Sequence, residues 1–99
     1  AQVRMLIRAV DDFFTFALEI VREHKFDNVD LLVTRRVNIA EKLYSIEKDQ
    51  VKRIKDLEVN TRNSLLFFKS LTETRNLLLH TVNVVKSFRN FYHSSGKYL

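Results

Sequence analysis

Hydrophobic side chains recur every three or four residues along the last third of the chain, from Asn60 to Tyr92. That period is typical of an amphipathic helix that buries one face. The predicted buried stripe consists of Phe67, Leu71, Thr74, Leu78, Val82, Val85, Phe88 and Tyr92. A second stripe with the same spacing is wholly polar and consists of Lys69, Glu73, Asn76, His80, Asn83, Ser87 and Asn90. A helix of about 30 residues is on the order of 45 Å long, so it needs long partners to cover its apolar face.

Two earlier segments show the same period and predict those partners. We expect helices over about residues 2–25, 28–56 and 60–93. The stripe of the first helix consists of Val3, Leu6, Val10, Phe13, Ala17, Ile20 and Val21, widened by Phe14, Phe16 and Leu18. The stripe of the second consists of Val33, Val37, Ala40, Tyr44, Val51 and Ile54, flanked by Leu32, Ile39, Leu43 and Ile46.

The connections between these segments are short. Asp27 is the predicted N-cap of the second helix, and Asn60 or Thr61 that of the third, after a loop over Leu57–Asn60. Gly96 suits the left-handed position past a helix end, so it predicts where the third helix stops. Proline is absent and Gly96 is the only glycine, which excludes a compact β-protein with several tight turns. The sequence therefore predicts one all-α domain, an up-down-up three-helix bundle of long antiparallel helices.

Composition narrows the function classes further. The chain has no cysteine, which excludes a disulfide framework, a thiol nucleophile and a cysteine-based zinc site. Its longest apolar run is the four residues Leu65–Phe68, far below the roughly 18 needed to cross a bilayer. An initial alanine in place of methionine leads us to expect a soluble piece of a longer protein.

Motifs that carry catalysis are missing from the sequence. The three histidines are scattered and a single glycine cannot form a phosphate-binding loop. His80 shares a helical face with Glu73 and Asn76 and could be half of a metal site, although such a polar stripe more often faces water. We therefore expect no enzyme, no metal and no cofactor.

The charge balance permits an anionic partner. The formal net charge is +5, and the candidate basic patch consists of Arg35, Arg36, Lys48, Lys52, Arg53 and Lys55. Twelve acidic residues are interleaved with the basic ones, which favours a mixed, solvated surface. Helices of nearly thirty residues do not fit the short recognition helices of helix-turn-helix domains, so nucleic acid is not the expected partner.

The run from Ser45 to Phe88 resembles the last two helices of PhoU-like domains. In that family a charged helix of the type E-x-x-x-x-K-R-I precedes an apolar run and then the pattern D-L-E-R-I-G-D-H-A-V-N-I-A. Here Leu65-Leu66-Phe67-Phe68 stands for the apolar run, and Leu79-His80-Thr81-Val82-Asn83-Val84-Val85 stands for D-H-A-V-N-I-A. Family members that bind metal clusters carry acidic residues just before the histidine. Arg75, Asn76 and Leu79 stand at the corresponding positions, so no metal site is carried over.

The resemblance implies a non-catalytic three-helix domain like the cytoplasmic tail of sodium/phosphate cotransporters, with a regulatory or interaction role in phosphate transport. It places the chain on the cytoplasmic side of the inner membrane, as part of an integral membrane protein. The expected partner is the transporter's membrane domain or another copy of the domain. The contact surface is either the basic second helix or the polar stripe of the third, on which the expected residues are Glu73, Asn76, His80 and Asn83. Two alternatives stay open: a free helical bundle that binds an anionic partner through the basic patch, and a helical dimerisation module.

Overall fold

The computed structural model describes residues 2–55 and 61–98. Within these residues it contains three α-helices: α1 (Gln2–Glu23), α2 (Val29–Lys55) and α3 (Thr61–Tyr98), with a short 3₁₀ turn over Phe26–Asn28. The described part holds no strand, so the predicted all-α three-helix fold is confirmed. The predicted loop over Leu57–Asn60, the cap at Asn60 and the end of the second helix at position 56 lie outside the described residues.

The three helices pack along their length in an up-down-up arrangement. Near the start of α3, Gln50 of α2 donates a hydrogen bond from Nε2 to Oγ of Ser64 over 2.9 Å. His24, just after α1, stacks on Tyr92 of α3 with ring centroids 4.5 Å apart. Because His24 is level with Tyr92 and both helices run in the same direction, Ala17 lies level with about Val85. The described chain is 62 × 21 × 15 Å, and its length follows from the 38 residues of α3.

The predicted stripes of α1 and α3 supply the core. Leu6, Phe13, Ala17 and Ile20 of α1 are buried, and so are the α3 residues Leu71, Leu78, Val82 and Val85. Phe88 and Tyr92, which the sequence placed on the same α3 stripe, are instead about half exposed. They lie near the C-terminal end of α3, where this stripe no longer faces the centre of the bundle.

The predicted core stripe of α2 is wrong at three of its positions, whereas Val33 packs against the core as predicted. Val37, Tyr44 and Val51 are exposed, although the sequence placed them at the centre of the buried face. The residues that were expected to flank the stripe form it instead, namely Leu32, Ile39, Leu43 and Ile46, together with Val29. Leucine and isoleucine bury more apolar area than valine, and this face of α2 contacts both α1 and α3. The larger side chains therefore determine which way the helix is rotated.

α1 ends at a residue in the left-handed conformation that is not glycine. His24 has φ of 56°, and the amide N–H groups of His24 and Lys25 donate to the carbonyl oxygens of Val21 and Ile20. These two bonds are those of a Schellman motif. The Lys25 ammonium binds the carboxylates of Glu23 at 2.8 Å and Glu19 at 3.5 Å, and its hydrogen bond lowers the pKa of Glu23 below the usual range.

Two further predictions about helix ends are wrong. Asp27 lies inside the 3₁₀ turn, so it does not cap α2 from the preceding position. Gly96 does not stop α3, which continues to Tyr98. One glycine inside a helix costs about 1 kcal/mol relative to alanine, and it ends the helix only where its φ turns positive.

The left-handed geometry at position 24 predicts an unusual order of stabilities. Both His24→Gly and His24→Ala lose the ring that stacks on Tyr92, so their difference isolates the backbone. We expect the glycine variant to be more stable by about 1 kcal/mol, because a side chain strains the left-handed conformation. Urea denaturation of the two variants measures this difference. If alanine proved the more stable, as it is inside a right-handed helix, the left-handed stop would be contradicted.

Candidate functional site

The four residues expected to form the partner face share one side of α3. Glu73, Asn76, His80 and Asn83 are all exposed, and at about 100° per residue they occupy a sector of roughly 80°. Glu73 lies 3.9 Å from the Lys69 ammonium, in an exposed pair of the kind that contributes little stability. The stripe therefore faces solvent, and its role as a contact surface stays a prediction.

The polar face offers no chelating cluster in the part of the chain that the structure describes. No group of three or more histidine, aspartate or glutamate side chains in residues 2–55 and 61–98 converges closely enough to hold a metal ion. Arg75 of α3 contacts Glu47 of α2 at 2.5 Å. This pair links two helices of the bundle.

The six residues of the candidate basic patch do not form one surface. Arg35 stacks over the Phe16 ring of α1 at 4.0 Å, whereas Lys52 follows about 25 Å further along α2. Lys48, Lys52 and Lys55 share one exposed helical face, with Lys48 5.2 Å from the Tyr44 ring. Arg53 lies on the far side of the helix from those lysines. The structure therefore separates the predicted patch into a short lysine row and isolated arginines.

A different surface stands out between α1 and α3. Leu77, Val84, Phe88 and Phe91 of α3 are between 48% and 73% exposed, and Leu18 of α1 beside them is 55% exposed. Together they line two adjoining depressions of about 460 and 390 Å³, which share Val84 and Phe88. We call this surface the α1–α3 groove. Large apolar side chains left in water over a continuous surface mark contact sites for proteins or membranes.

The predicted polar face borders this groove. His80 lines it directly, between Leu77 and Val84, with Thr81 on its inner side. Asn76 and Asn83 lie on the turns next to His80, about 100° around the helix from Leu77 and Val84, and the side chains that line the groove do not include them. The structure therefore places one of the four predicted contact residues, His80, in the lining of an apolar surface that sequence reasoning did not single out, with Asn76 and Asn83 beside it on the polar face.

A signal for the groove was present in the sequence. Leu77, Val84 and Phe91 are spaced seven residues apart, which is the repeat of a helix seam that packs against another helix. They were missed because the core stripe of α3 already accounted for its hydrophobic period. The sequence pattern does not show that α1 and α2 leave this second stripe uncovered.

Aromatic rings close the groove at one end. Phe26, which is buried, lies with its centroid 5.4 Å from Tyr92 and 6.3 Å from His93. His24 completes the cluster by stacking on Tyr92. These rings connect the end of α1 and the 3₁₀ turn to α3.

Among the described residues, none of the helices combines the length and the apolar character needed to cross a membrane. Comparison of the chain with protein-family models, known proteins and solved structures finds no match. The resemblance of residues 45–88 to PhoU-like domains therefore stays a prediction.

Proposed function

We propose that this chain is a non-catalytic helical interaction domain, of the PhoU-like kind that accompanies sodium/phosphate cotransporters, and that it acts by protein contact. One observation carries the proposal: an apolar groove lies open to solvent in a chain of which 29% is charged residues. Exposed Phe88 and Phe91 have no role in the core of the bundle. Their burial against a partner helix accounts for why large hydrophobic side chains stand at these positions.

The family assignment within this proposal rests on the motif in residues 45–88, and an all-α bundle of three long helices is the fold that the motif implies. The contact surface differs from the one expected from sequence. The polar residues Asn76, His80 and Asn83 become the rim that orients a partner, and the groove supplies the buried area. Interfaces commonly have this division into an apolar centre and a polar edge.

Phosphate uptake by cells carrying the full-length protein tests this function. We expect the double variant Val84→Asp, Phe88→Asp to change uptake, or its response to phosphate supply, at least several-fold, because two carboxylates would be desolvated in the contact. Leu65→Asp is the matched control, since Leu65 is 66% exposed and lies outside the groove. The variant with alanine at Glu73, Asn76, His80 and Asn83 reports on the rim. Unchanged uptake in both variants, each present at normal levels, would overturn the proposal.

Fractionation of the full-length native protein tests the cotransporter assignment separately. We expect it to stay in the membrane pellet through high-salt and alkaline washes, because spanning helices elsewhere in the protein would retain it. Release by salt alone would instead indicate electrostatic attachment, for which Lys48, Lys52 and Lys55 are the candidate residues. A protein that never enters the pellet would contradict the assignment to a cotransporter.

A further inference from the structure

The heptad residues of the groove are spaced symmetrically along α3, whereas Phe88, four residues after Val84, is matched by His80 four residues before it. Leu77 and Phe91 each lie seven residues from Val84, which puts them about 10 Å to either side of it. Toward the N-terminus the same helical stripe continues with Glu73 and Ser70, so its apolar part ends at Leu77. A two-fold rotation about an axis through Val84, perpendicular to the helix, places Leu77 of one copy opposite Phe91 of the other. A two-fold interface has this property, because the same patch serves both partners.

The rim of the seam is composed of groups that can pair with themselves. Asn76, Asn83 and Asn90 also recur every seven residues, and all three are exposed. A side-chain amide both donates and accepts hydrogen bonds, so it can bind an identical amide across a two-fold axis. At Asn83, next to the axis, a charged residue would instead meet its own like charge. The amide rim therefore favours a second copy of this chain over a partner of opposite charge.

The charged residues between positions 76 and 95 of α3 are kept away from the seam. They are Lys86 and Arg89, which lie roughly 140–160° around the helix from Val84. The chain as a whole carries +5, so two copies repel each other over most of their surface. Over residues 76–95 of α3, the groove side therefore lets two positively charged chains approach without juxtaposing lysine or arginine side chains.

One pair of opposite charges on α1 has the same symmetry. Ala17 lies near the level of Val84, and exposed Asp11 and Arg22 stand six residues before and five residues after it. Within the described residues neither of them forms an ion pair. A two-fold axis at the level of Val84 would bring Asp11 of each copy toward Arg22 of the other. Opposite charges at equal distances from the axis are thus complementary to the chain's own copy.

The area available is sufficient for a stable dimer. Six exposed apolar side chains belong to the groove and its end: Leu18, Leu77, Val84, Phe88, Phe91 and Tyr92. Their exposed parts sum to on the order of 600 Å² per copy, and the rim adds roughly 200 Å², which reaches the ~800 Å² per partner of ordinary stable interfaces.

We infer that a second copy of this chain occupies the α1–α3 groove, with its α3 antiparallel to the first and with Val84 on the two-fold axis. Leu77 of each copy then packs against Phe91 of the other, and α1 and α3 of both copies form a four-helix bundle. This inference rests on the proposed function as an interaction domain, and it names the partner.

Cysteine pairing tests the geometry, because the natural chain contains no cysteine. Under mild oxidation, Val84→Cys should form a disulfide-linked dimer in high yield, since the two residues meet at the axis. Leu77→Cys and Phe91→Cys should each form little dimer alone, because identical positions stand about 21 Å apart along the pair. A mixture of those two variants should cross-link to each other. Leu65→Cys, outside the groove, is the control for random collision.

Sedimentation velocity of the unmodified 99-residue chain from 1 to 200 µM measures the association itself. We expect a monomer–dimer equilibrium that Val84→Asp weakens about 100-fold, because both copies would bring a carboxylate to the axis, and that Leu65→Asp leaves unchanged. Circular dichroism verifies that each variant is folded. A chain that stays monomeric at 200 µM overturns the inference, and so does self-cross-linking of Leu77→Cys, which would indicate parallel pairing. If the chain is monomeric but groove variants still change phosphate uptake, the proposed function survives with a different occupant of the groove.

Discussion

Phe13→Ala should lower the free energy of unfolding by about 3–5 kcal/mol. Phe13 has no exposed surface at the centre of the core and meets Phe14 edge to face, with ring centroids 5.5 Å apart. The truncation removes a large apolar side chain and leaves a cavity that neighbours on three helices cannot close. Since a domain of this size is stable by only about 5–15 kcal/mol, the substitution should remove a substantial part of the total stability. Urea denaturation followed by circular dichroism measures the change.

Met5→Ala, in the same helix, is the control for this prediction. Met5 is 66% exposed, so its truncation should cost less than about 1 kcal/mol. The experiment is performed at a concentration low enough to keep the chain monomeric, so that stability is not coupled to association. Similar losses in the two variants would contradict the rotation of α1 that puts Phe13 at the centre of the core.

Leu32→Ala should cost about 2–5 kcal/mol, whereas Leu31→Ala should cost less than about 1 kcal/mol. The substitution is identical and the residues are adjacent, but Leu32 is completely buried and Leu31 is 48% exposed. The difference between the two variants therefore reports the rotation of α2 alone, with helix propensity and side-chain chemistry held constant.

Thermal and urea denaturation of this pair distinguish the observed face of α2 from the one that the hydrophobic pattern predicts. In the predicted stripe, Val37 is central and Leu32 only flanks it. A third variant, Val37→Ala, should therefore be nearly neutral, because Val37 is 40% exposed. If Val37→Ala were as costly as Leu32→Ala, the predicted face would be right and the observed rotation of α2 wrong.

On α3, the core and the groove use neighbouring apolar residues that differ in exposure. In α3, Leu78 is 1% exposed while its neighbour Leu77 is 53% exposed. Leu78 holds the three helices together, and Leu77 begins the seam that we assign to a second copy. Substitutions at Leu77 should therefore reduce association without lowering monomer stability.

Local sequence was sufficient for the fold class and for two of the three helix faces. The period of 3.6 residues and the lack of turn-forming residues predict long helices, because both depend only on neighbours along the chain. The buried stripe of α1 around Phe13 and that of α3 around Leu78 were recognisable for the same reason. The polar residues Asn76, His80 and Asn83 were likewise correctly placed on an exposed face, because a wholly polar stripe loses hydration when buried.

Other features depend on contacts between distant residues. Two apolar stripes compete on α2, and packing against both neighbours at once selects the one that contains Leu32 and Leu43. His24 takes a left-handed conformation that glycine usually supplies, in a turn where its ring also stacks on Tyr92. The seven-residue spacing of Leu77, Val84 and Phe91 is visible in the sequence. Whether these side chains are exposed depends on where α1 and α2 lie. By itself the sequence determined which residues lie on an apolar face of a helix and so can be buried. The tertiary structure decided which of those residues are buried, because three helices leave part of each apolar face uncovered.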